Sequence, residues 1–292
     1  MMMEPVDRLS ALLERFRLRT RMSFSGPMCG EHVFARESNK AYLHVLRSGS
    51  MEIRHPGTKG VPMRITLDEP SLIFYPRPFT HHFHNAPRDG SEFTCAEIEF
   101  EGGQSHPIVQ ALPPLVLLRL DEVDGLQASL NLLFAETEHV RCGHRVLADR
   151  LFEVVLVQLL RWLLDHPSQA NINSGLLMGL SSPQLAKALT AMHESPGEPW
   201  TVEQLAEASG MSRTAFAVKF KQLVGQPPAD YVANWRLTIA QARLREGVPL
   251  KMLAGELGYS SQSALTRVFT ARLGVSPREW LSQREEDVSG RR

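Results

Sequence analysis

Histidines and cysteines in the first third of this sequence have side chains that can bind metal ions or react with oxidants. His81, His82 and His84 form a short cluster, and Cys29 and Cys95 lie near the two ends of a segment rich in β-forming residues. Imidazoles and thiolates bind zinc and copper, and oxidants attack thiols whose pKa is lowered by nearby positive charge. The leading interpretation is a chemical sensor in which a closed β-barrel brings Cys29 and Cys95 together as a redox switch. In this interpretation His81, His82 and His84 supply positive charge or hydrogen bonds that lower the pKa of a nearby thiol.

Two alternatives use the same region differently. These histidines and cysteines do not by themselves require a cofactor. One alternative to the redox switch is a bound metal ion, whose candidate ligands are Cys29, His44, His81, His82, His84 and Cys95, with His32 as a further donor. An organic ligand inside the β-rich domain is the other, and it would leave the thiols without a role. Histidines that are only hydrogen-bonded or solvent-facing at a strand end would also explain the cluster.

Two C-terminal segments repeat each other. The first contains Leu205-Ala206, Gly210-Met211-Ser212, Phe216, Phe220, Gly225 and Pro228; the second contains Leu253-Ala254, Gly258-Tyr259-Ser260, Leu265, Phe269, Gly274 and Pro277. Each predicts a short helix, a glycine turn, a capping serine and a longer amphipathic helix, which is the helix-turn-helix pattern. The offset is 48 residues up to the glycine and 49 after it, so the second turn has one extra residue.

The periodicity of apolar residues predicts the elements that position these groups. The predicted strands cover residues 41–46, 51–54, 63–67, 72–75 and 93–100, and the predicted helices cover 5–18, 126–140, 144–166, 181–193 and 229–245. The fold class is therefore α+β. We expect a sensor domain over 1–166, a polar linker over 167–180 and a DNA-binding domain over 181–292.

Composition narrows the class of protein. The chain has 32 basic and 32 acidic residues, yet residues 200–280 hold ten Lys/Arg and six Asp/Glu, which suits a sequence-specific DNA binder. The longest apolar stretch, 151–164, is interrupted by Glu153, Gln158 and Arg161 and does not predict a membrane span. No signal peptide is evident, and three cysteines fit a reducing compartment. We expect a cytoplasmic location and no membrane partner.

Residues 200–280 resemble the DNA-binding domain of the AraC/XylS family of transcription regulators. The most diagnostic residues are Leu253-Ala254, Gly258-Tyr259, Leu265 to Phe269, Gly274 to Pro277 and Trp280. The resemblance implies double-stranded DNA and RNA polymerase as partners, and it favours activation over repression.

Carried over by position, the resemblance assigns ten residues to DNA. They are Arg213, Thr214, Ala217, Val218, Lys219 and Lys221 in the first unit, and Gln262, Ser263, Thr266 and Arg267 in the second. Arg267 and Gln262 have the chemistry to read guanine and adenine edges. Ala217 and Val218 can touch only thymine methyl groups, so we expect more base specificity from the second unit.

Residues 76–85 resemble the second cupin motif, with Pro78 in place of a glycine and His81 as the expected ligand. A cupin-like β-barrel with flanking helices is therefore expected before the DNA-binding domain. A cupin metalloenzyme is the rival class, but Tyr42 stands where the first motif has a glutamate and no His-x-His precedes it, so we expect no enzyme. Residues 25–30 and the turn at 46–51 further resemble the subgroup that includes RclR-like oxidant sensors.

The two helices over 126–140 and 144–166 are expected to form an antiparallel pair. An apolar stripe on the second helix predicts a homodimer surface formed by Leu147, Leu151, Val154, Val155, Gln158 and Leu159. The same stripe would equally serve as internal core.

Overall fold

The computed structural model of the chain describes residues 6–57, 60–85, 90–123, 125–139 and 141–282. These residues form two compact units. The β unit is Phe16–Ser181; the helical unit begins at Ser182 and also includes the segment that ends at Arg15. The predicted α+β class, with a β-rich N-terminal domain and an all-helical C-terminal domain, is confirmed. Residues 283–292 of the predicted DNA-binding domain lie outside the described residues.

The β unit contains two antiparallel sheets. Its strands are β1 Leu18–Met28, β2 Gly30–Phe34, β3 Lys40–Ser48, β4 Met51–Arg54, β5 Arg64–Leu67, β6 Ser71–Tyr75, β7 His81–Asn85, β8 Ser91–Phe100 and β9 Val116–Arg119. The larger sheet has the order β1-β8-β3-β6-β9 and the smaller one β2-β7-β4-β5. Side chains from both sheets share one buried core, which includes Ile53, Tyr75, Phe83 and Cys95.

The five predicted strands are present, and β1, β2, β7 and β9 were missed. The predicted helix over 5–18 was wrong at both ends: α1 is only Ser10–Arg15, and Leu18 already pairs with Phe100 in the sheet. Pro5 lies outside the described residues. Gly26 and Pro27 concealed β1, but an edge strand tolerates a proline because one side of it needs no hydrogen bonds.

Four helices complete the β unit: α2 Pro107–Ala111, α3 Leu126–Glu138, α4 His144–Asp165 and α5 Leu176–Ser181. The start of α3 lies beside the end of α4, because Gln158 Nε2 donates to the Gly125 carbonyl (3.1 Å) and Trp162 Nε1 donates to the Glu122 carbonyl (2.8 Å). The pair is therefore antiparallel, as expected. The predicted end of its first helix, Val140, lies outside the described residues.

The segment expected as a linker is not uniformly a loop. Residues 176–181 form α5, which buries Leu176, Leu177 and Leu180 within the β unit. Its apolar side chains outweigh the Asn- and Ser-rich composition on which the linker prediction depended, since their burial stabilises a helix that propensity alone would not.

The helical unit contains α1 and six further helices: α6 Pro183–Glu194, α7 Val202–Ala208, α8 Arg213–Val224, α9 Pro228–Arg245, α10 Leu250–Glu256 and α11 Gln262–Leu273. Helices α7–α8 and α10–α11 are the two predicted helix-turn-helix units, and α9 connects them. Among the helices that the structure describes, none combines the length and the apolar character needed to cross a bilayer.

Candidate functional site

The first helix-turn-helix unit is fixed by side chains that cap its helices. The Thr201 hydroxyl accepts from the Gln204 N–H (3.2 Å), and the Gln204 side chain accepts from the Thr201 N–H (2.9 Å), so both satisfy donors at the start of α7. Ser212 Oγ accepts from the Ala215 N–H (3.3 Å) at the start of α8. The helix ends at Gly225, whose φ of 84° is the left-handed conformation that favours glycine.

The second unit repeats this arrangement, with one correction. Ser260 is the serine that the internal repeat matches to Ser212, but Ser261 caps α11 by accepting from the Ala264 N–H at 3.2 Å. Ser212 and Ser261 are 49 residues apart, so the extra residue of the second turn precedes the cap. Gly274 ends α11 with a φ of 78°, as Gly225 ends α8.

Each longer helix buries one face and exposes another. Phe216 and Phe220 of α8, and Leu265 and Phe269 of α11, have no exposed surface. Most of the predicted DNA-facing residues are exposed: Arg213, Thr214, Val218, Lys221, Gln262, Ser263 and Arg267. The remaining three are half-buried: Ala217, Lys219 and Thr266.

Local contacts distinguish the basic residues of the two recognition helices. Arg213 Nε lies 2.9 Å from a Glu203 carboxylate oxygen, and Lys219 Nζ donates to Gln184 Oε1 at 2.7 Å. Arg267 has no ion-pair partner among the described residues. The second unit therefore presents the less engaged guanidinium to a ligand.

Helix α9 supplies contacts that the sequence did not reveal. Arg272 of α11 donates to Asn234 Oδ1 (2.9 Å) and Asp230 Oδ1 (2.6 Å) of α9, and the Arg236 guanidinium lies over the Tyr259 ring. These pairs fix α9 against the second unit. No local pattern identifies them, because their members are far apart in sequence.

The β unit contains a buried chain of hydrogen bonds that joins three of the predicted sensor residues. His44 Nδ1 lies 3.0 Å from Cys95 Sγ, and His44 Nε2 lies 2.9 Å from His81 Nε2. His81 Nδ1 lies 3.1 Å from the Phe79 carbonyl oxygen. Strand pairing places these groups together, since His44 of β3 is opposite Cys95 of β8.

The positions of the protons in this chain follow from the chemistry of its ends. The Phe79 carbonyl can only accept, so His81 Nδ1 carries a proton, and the Nε2 of the neutral ring accepts from His44 Nε2. His44 Nδ1 is then an acceptor, and the Cys95 S–H donates to it. Burial keeps both rings neutral: it lowers the pKa of His81 to about 3 and places the pKa of His44 well below its ordinary value.

The expectation that histidines lower the pKa of a sensor thiol was therefore wrong for Cys95. Burial raises the pKa of this thiol, and its histidine neighbour is uncharged. Cys95 is a thiol that donates a hydrogen bond inside the core rather than a thiolate.

The predicted pairing of Cys29 with Cys95 is also wrong in this conformation. Cys29 is exposed beyond the end of β1, where the neighbouring Met28 pairs with Ser91. Cys95 lies four residues farther along β8, which is about 13 Å in an extended strand. A disulfide needs Cα atoms within about 7 Å. The backbone would have to move before the two sulfur atoms could bond.

The predicted metal ligands divide into separate groups. One ion cannot be bound by His44, His81 and Cys95 together, because the His44 ring lies between the other two and its nitrogen atoms point in opposite directions. His82 and His84 lie instead with Glu31, a residue that no sequence pattern had indicated, and the ligand atoms of the three residues lie within 4.8 Å of one another. Among the described residues, Cys29 belongs to neither group.

Comparison with known proteins adds to this geometry. A family model described as a cupin matches residues 7–165, and one described as a helix-turn-helix domain matches residues 205–283. A putative AraC-like transcription regulator from Streptomyces antibioticus is 36% identical over 94% of this chain and 98% of its own. The RCS-specific HTH-type transcriptional activator RclR of Escherichia coli K12 is 25% identical over 81% of this chain and 82% of its own.

Among solved structures, the DNA-binding domain of AdpA in complex with a target DNA is similar to 35% of this chain and 92% of that chain, with 28% identity and a TM-score of 0.31. Three findings support one conclusion. The longer helix of each helix-turn-helix unit is capped by a serine, the N-terminal domain consists of antiparallel sheets, and the similarity extends along almost the whole Streptomyces protein. The chain belongs to the AraC-like transcription regulators and is a DNA-binding regulator with an N-terminal cupin domain.

Proposed function

We propose that the chain activates transcription by placing α8 and α11 in successive major grooves of its operator. The observation that carries this proposal is that both helices have the same cap, the same buried face and an exposed face with polar side chains. The connecting helix α9 has 18 residues, about 27 Å at 1.5 Å per residue, a length compatible with grooves that repeat every ~34 Å. Hydroxyl-radical footprinting of the full chain should show two protected backbone segments, one helical turn (~34 Å) apart, on one face of the DNA. Protection of a single segment would contradict the proposal.

Base specificity is proposed to come mainly from the second unit. Gln262, Ser263 and Arg267 are exposed on α11, whereas Arg213 and Lys219 of the first unit already contact protein side chains. Val218 of α8 is 63% exposed, which suits contact with a thymine methyl group and little else. Base substitutions across the operator should therefore weaken binding more in the half that α11 contacts.

The cupin domain is proposed to receive a chemical signal, without enzymatic activity. If the signal is an oxidant, the accessible thiol of Cys29 is the better target, since Cys95 is buried and its thiol pKa is raised. An organic ligand inside the domain would have to displace packed rings: the centroids of His81 and Tyr75 are 4.1 Å apart, and those of Phe34 and His44 are 4.6 Å apart.

A transcriptional reporter treated with hypochlorite separates these versions. Loss of the response in Cys29→Ala, with the response kept in Cys95→Ala, would support a switch at the exposed thiol. An unchanged response in both variants would rule out Cys29 and Cys95 as the switch.

A homodimer in the cytoplasm that contacts RNA polymerase completes the proposal. On α4, Leu147 and Val154 are 48% and 44% exposed, while Val155 and Leu159 are buried, so only part of the predicted stripe is available to a second copy. Light scattering of the full chain at micromolar concentration should give twice the monomer mass. Loss of the larger species in Val154→Glu would support this surface, whereas a monomer with and without DNA would reject it.

A further inference from the structure

The group formed by Glu31, His82 and His84 lies on the outer side of the smaller sheet. Strand β7 alternates, so that His81, Phe83 and Asn85 are buried while His82 and His84 are partly exposed. Glu31 of β2 is the direct cross-strand partner of His84. All three side chains therefore project from paired strands, which fix their positions more firmly than a loop would.

The distances within this group suit coordination of one ion. His82 Nδ1 lies 3.2 Å and His84 Nε2 lies 3.4 Å from the same oxygen of Glu31. Metal–ligand bonds of about 2.0–2.1 Å at tetrahedral angles place neighbouring donor atoms roughly 3.3–3.4 Å apart. Small rotations of the side chains would place a metal ion between the three donors without movement of the backbone.

The charges around the group leave Glu31 available as the anionic ligand. Glu52 of β4 lies on the other side of His84, but its carboxylate already contacts the guanidinium groups of Arg54 and Arg64. The only ion-pair contacts of Glu31 within the described ranges are with the two histidines. His84 Nε2 is shielded from solvent and has no hydrogen-bond partner of good geometry among the described residues, which is costly for a polar atom and would be relieved by a metal bond.

We propose that Glu31, His82 and His84 bind a borderline divalent metal ion of the zinc type, with water completing the coordination. Two imidazoles and one carboxylate are a donor set typical of such ions. The site is separate from the buried Cys95–His44–His81 chain, whose side chains point into the core. Because β2 is an edge strand that pairs only with β7, the ion would cross-link this edge.

The test is a metal titration of the full chain after removal of metal with a chelator. Calorimetry with Zn²⁺ should give one site per chain, and Zn²⁺ should raise the thermal midpoint. Co²⁺ should give the visible spectrum of a nitrogen- and oxygen-ligated ion without a thiolate charge-transfer band. His84→Ala and Glu31→Gln should each weaken binding by at least about tenfold.

His32→Ala is the matched control, because His32 lies on the same strand as Glu31 but its ring contacts the Cys29 carbonyl at 2.9 Å. It should keep the site. Circular dichroism of each variant checks the fold, and Glu31→Gln is a nearly isosteric change of an exposed side chain. The proposal would be overturned by any of three results: no Zn²⁺ binding to the wild type, wild-type affinity in both His84→Ala and Glu31→Gln, or a thiolate charge-transfer band that Cys29→Ala removes.

Discussion

The glycine at the turn of the second helix-turn-helix unit should be far less replaceable than its counterpart in the first. Gly210 and Gly258 both have left-handed φ values, +64° and +73°. A Cβ on Gly210 would meet nothing within 4 Å, whereas a Cβ on Gly258 would lie 2.0 Å from the Gly197 carbonyl oxygen. Gly197 in turn approaches Glu256, since a Cβ there would lie 2.6 Å from the Glu256 carbonyl oxygen.

Three alanine variants separate the energetic cost of a left-handed backbone from the cost of steric overlap. Gly210→Ala adds only the left-handed backbone penalty of about 1–2 kcal/mol. Gly197→Ala adds only the steric overlap, about 1–3 kcal/mol for an overpacked site. Gly258→Ala adds both, so we expect a loss of about 2–5 kcal/mol in the free energy of unfolding.

Urea unfolding of the full chain, followed by tryptophan fluorescence, measures these differences. Trp200, Trp235 and Trp280 lie in the helical unit and Trp162 alone in the β unit, so most of the signal reports on the unit that carries the glycines. Equal destabilisation by Gly210→Ala and Gly258→Ala, with no effect of Gly197→Ala, would refute the close backbone contact on which the reasoning depends.

Three further predictions concern DNA binding, thiol reactivity and pH. Arg267→Ala should weaken binding to the cognate operator by about 1–3 kcal/mol and reduce the preference for one base at a single operator position. Lys221→Ala should instead weaken binding to every DNA sequence by the same factor and reduce the slope of log K against log salt concentration by about 1. Identical effects of the two variants, measured by fluorescence anisotropy, would contradict this prediction. In the native protein iodoacetamide should modify Cys29 but not Cys95, because the Cys95 thiol is buried and has a raised pKa. Cys95 should react only after urea unfolds the domain. Equal rates of modification at the two cysteines in the native protein, measured by mass spectrometry, would contradict this prediction. The pKa of His81 is lowered to about 3 from an ordinary 6.5, so below pH 6.5 the unfolded chain binds a proton that the folded one does not. The contribution of His81 to the free energy of unfolding should therefore fall as the pH decreases from about 6.5 toward 3, by up to about 1.4 kcal/mol per pH unit. If the unfolding free energy, followed by near-ultraviolet circular dichroism, depended on pH equally in the wild type and in His81→Phe, this origin would be refuted.

Much of the DNA-binding unit was readable from the sequence. Phe216 and Phe220 have helical spacing, a serine lies before the start of α8 and of α11, and a glycine ends each of these helices. The sequence predicted these features because each depends only on residues within one or two helical turns. The one misplaced cap, Ser260 for Ser261, came from an insertion whose position in the turn the spacing alone did not fix.

The β unit was less predictable because its decisive contacts join distant residues. Strand β1 was missed since its stability comes from pairing with β8, some seventy residues later, rather than from its own sequence pattern. The same pairing separates Cys29 from Cys95, which the sequence had suggested could meet in a closed barrel.

The sequence by itself determined the family, the tandem units and the residue types available for chemistry, because these depend on local spacing. Only the tertiary structure decided what each group experiences. Sheet register buried Cys95 beside a neutral His44, where burial raises the pKa of the thiol, and it turned His84 outward to face Glu31.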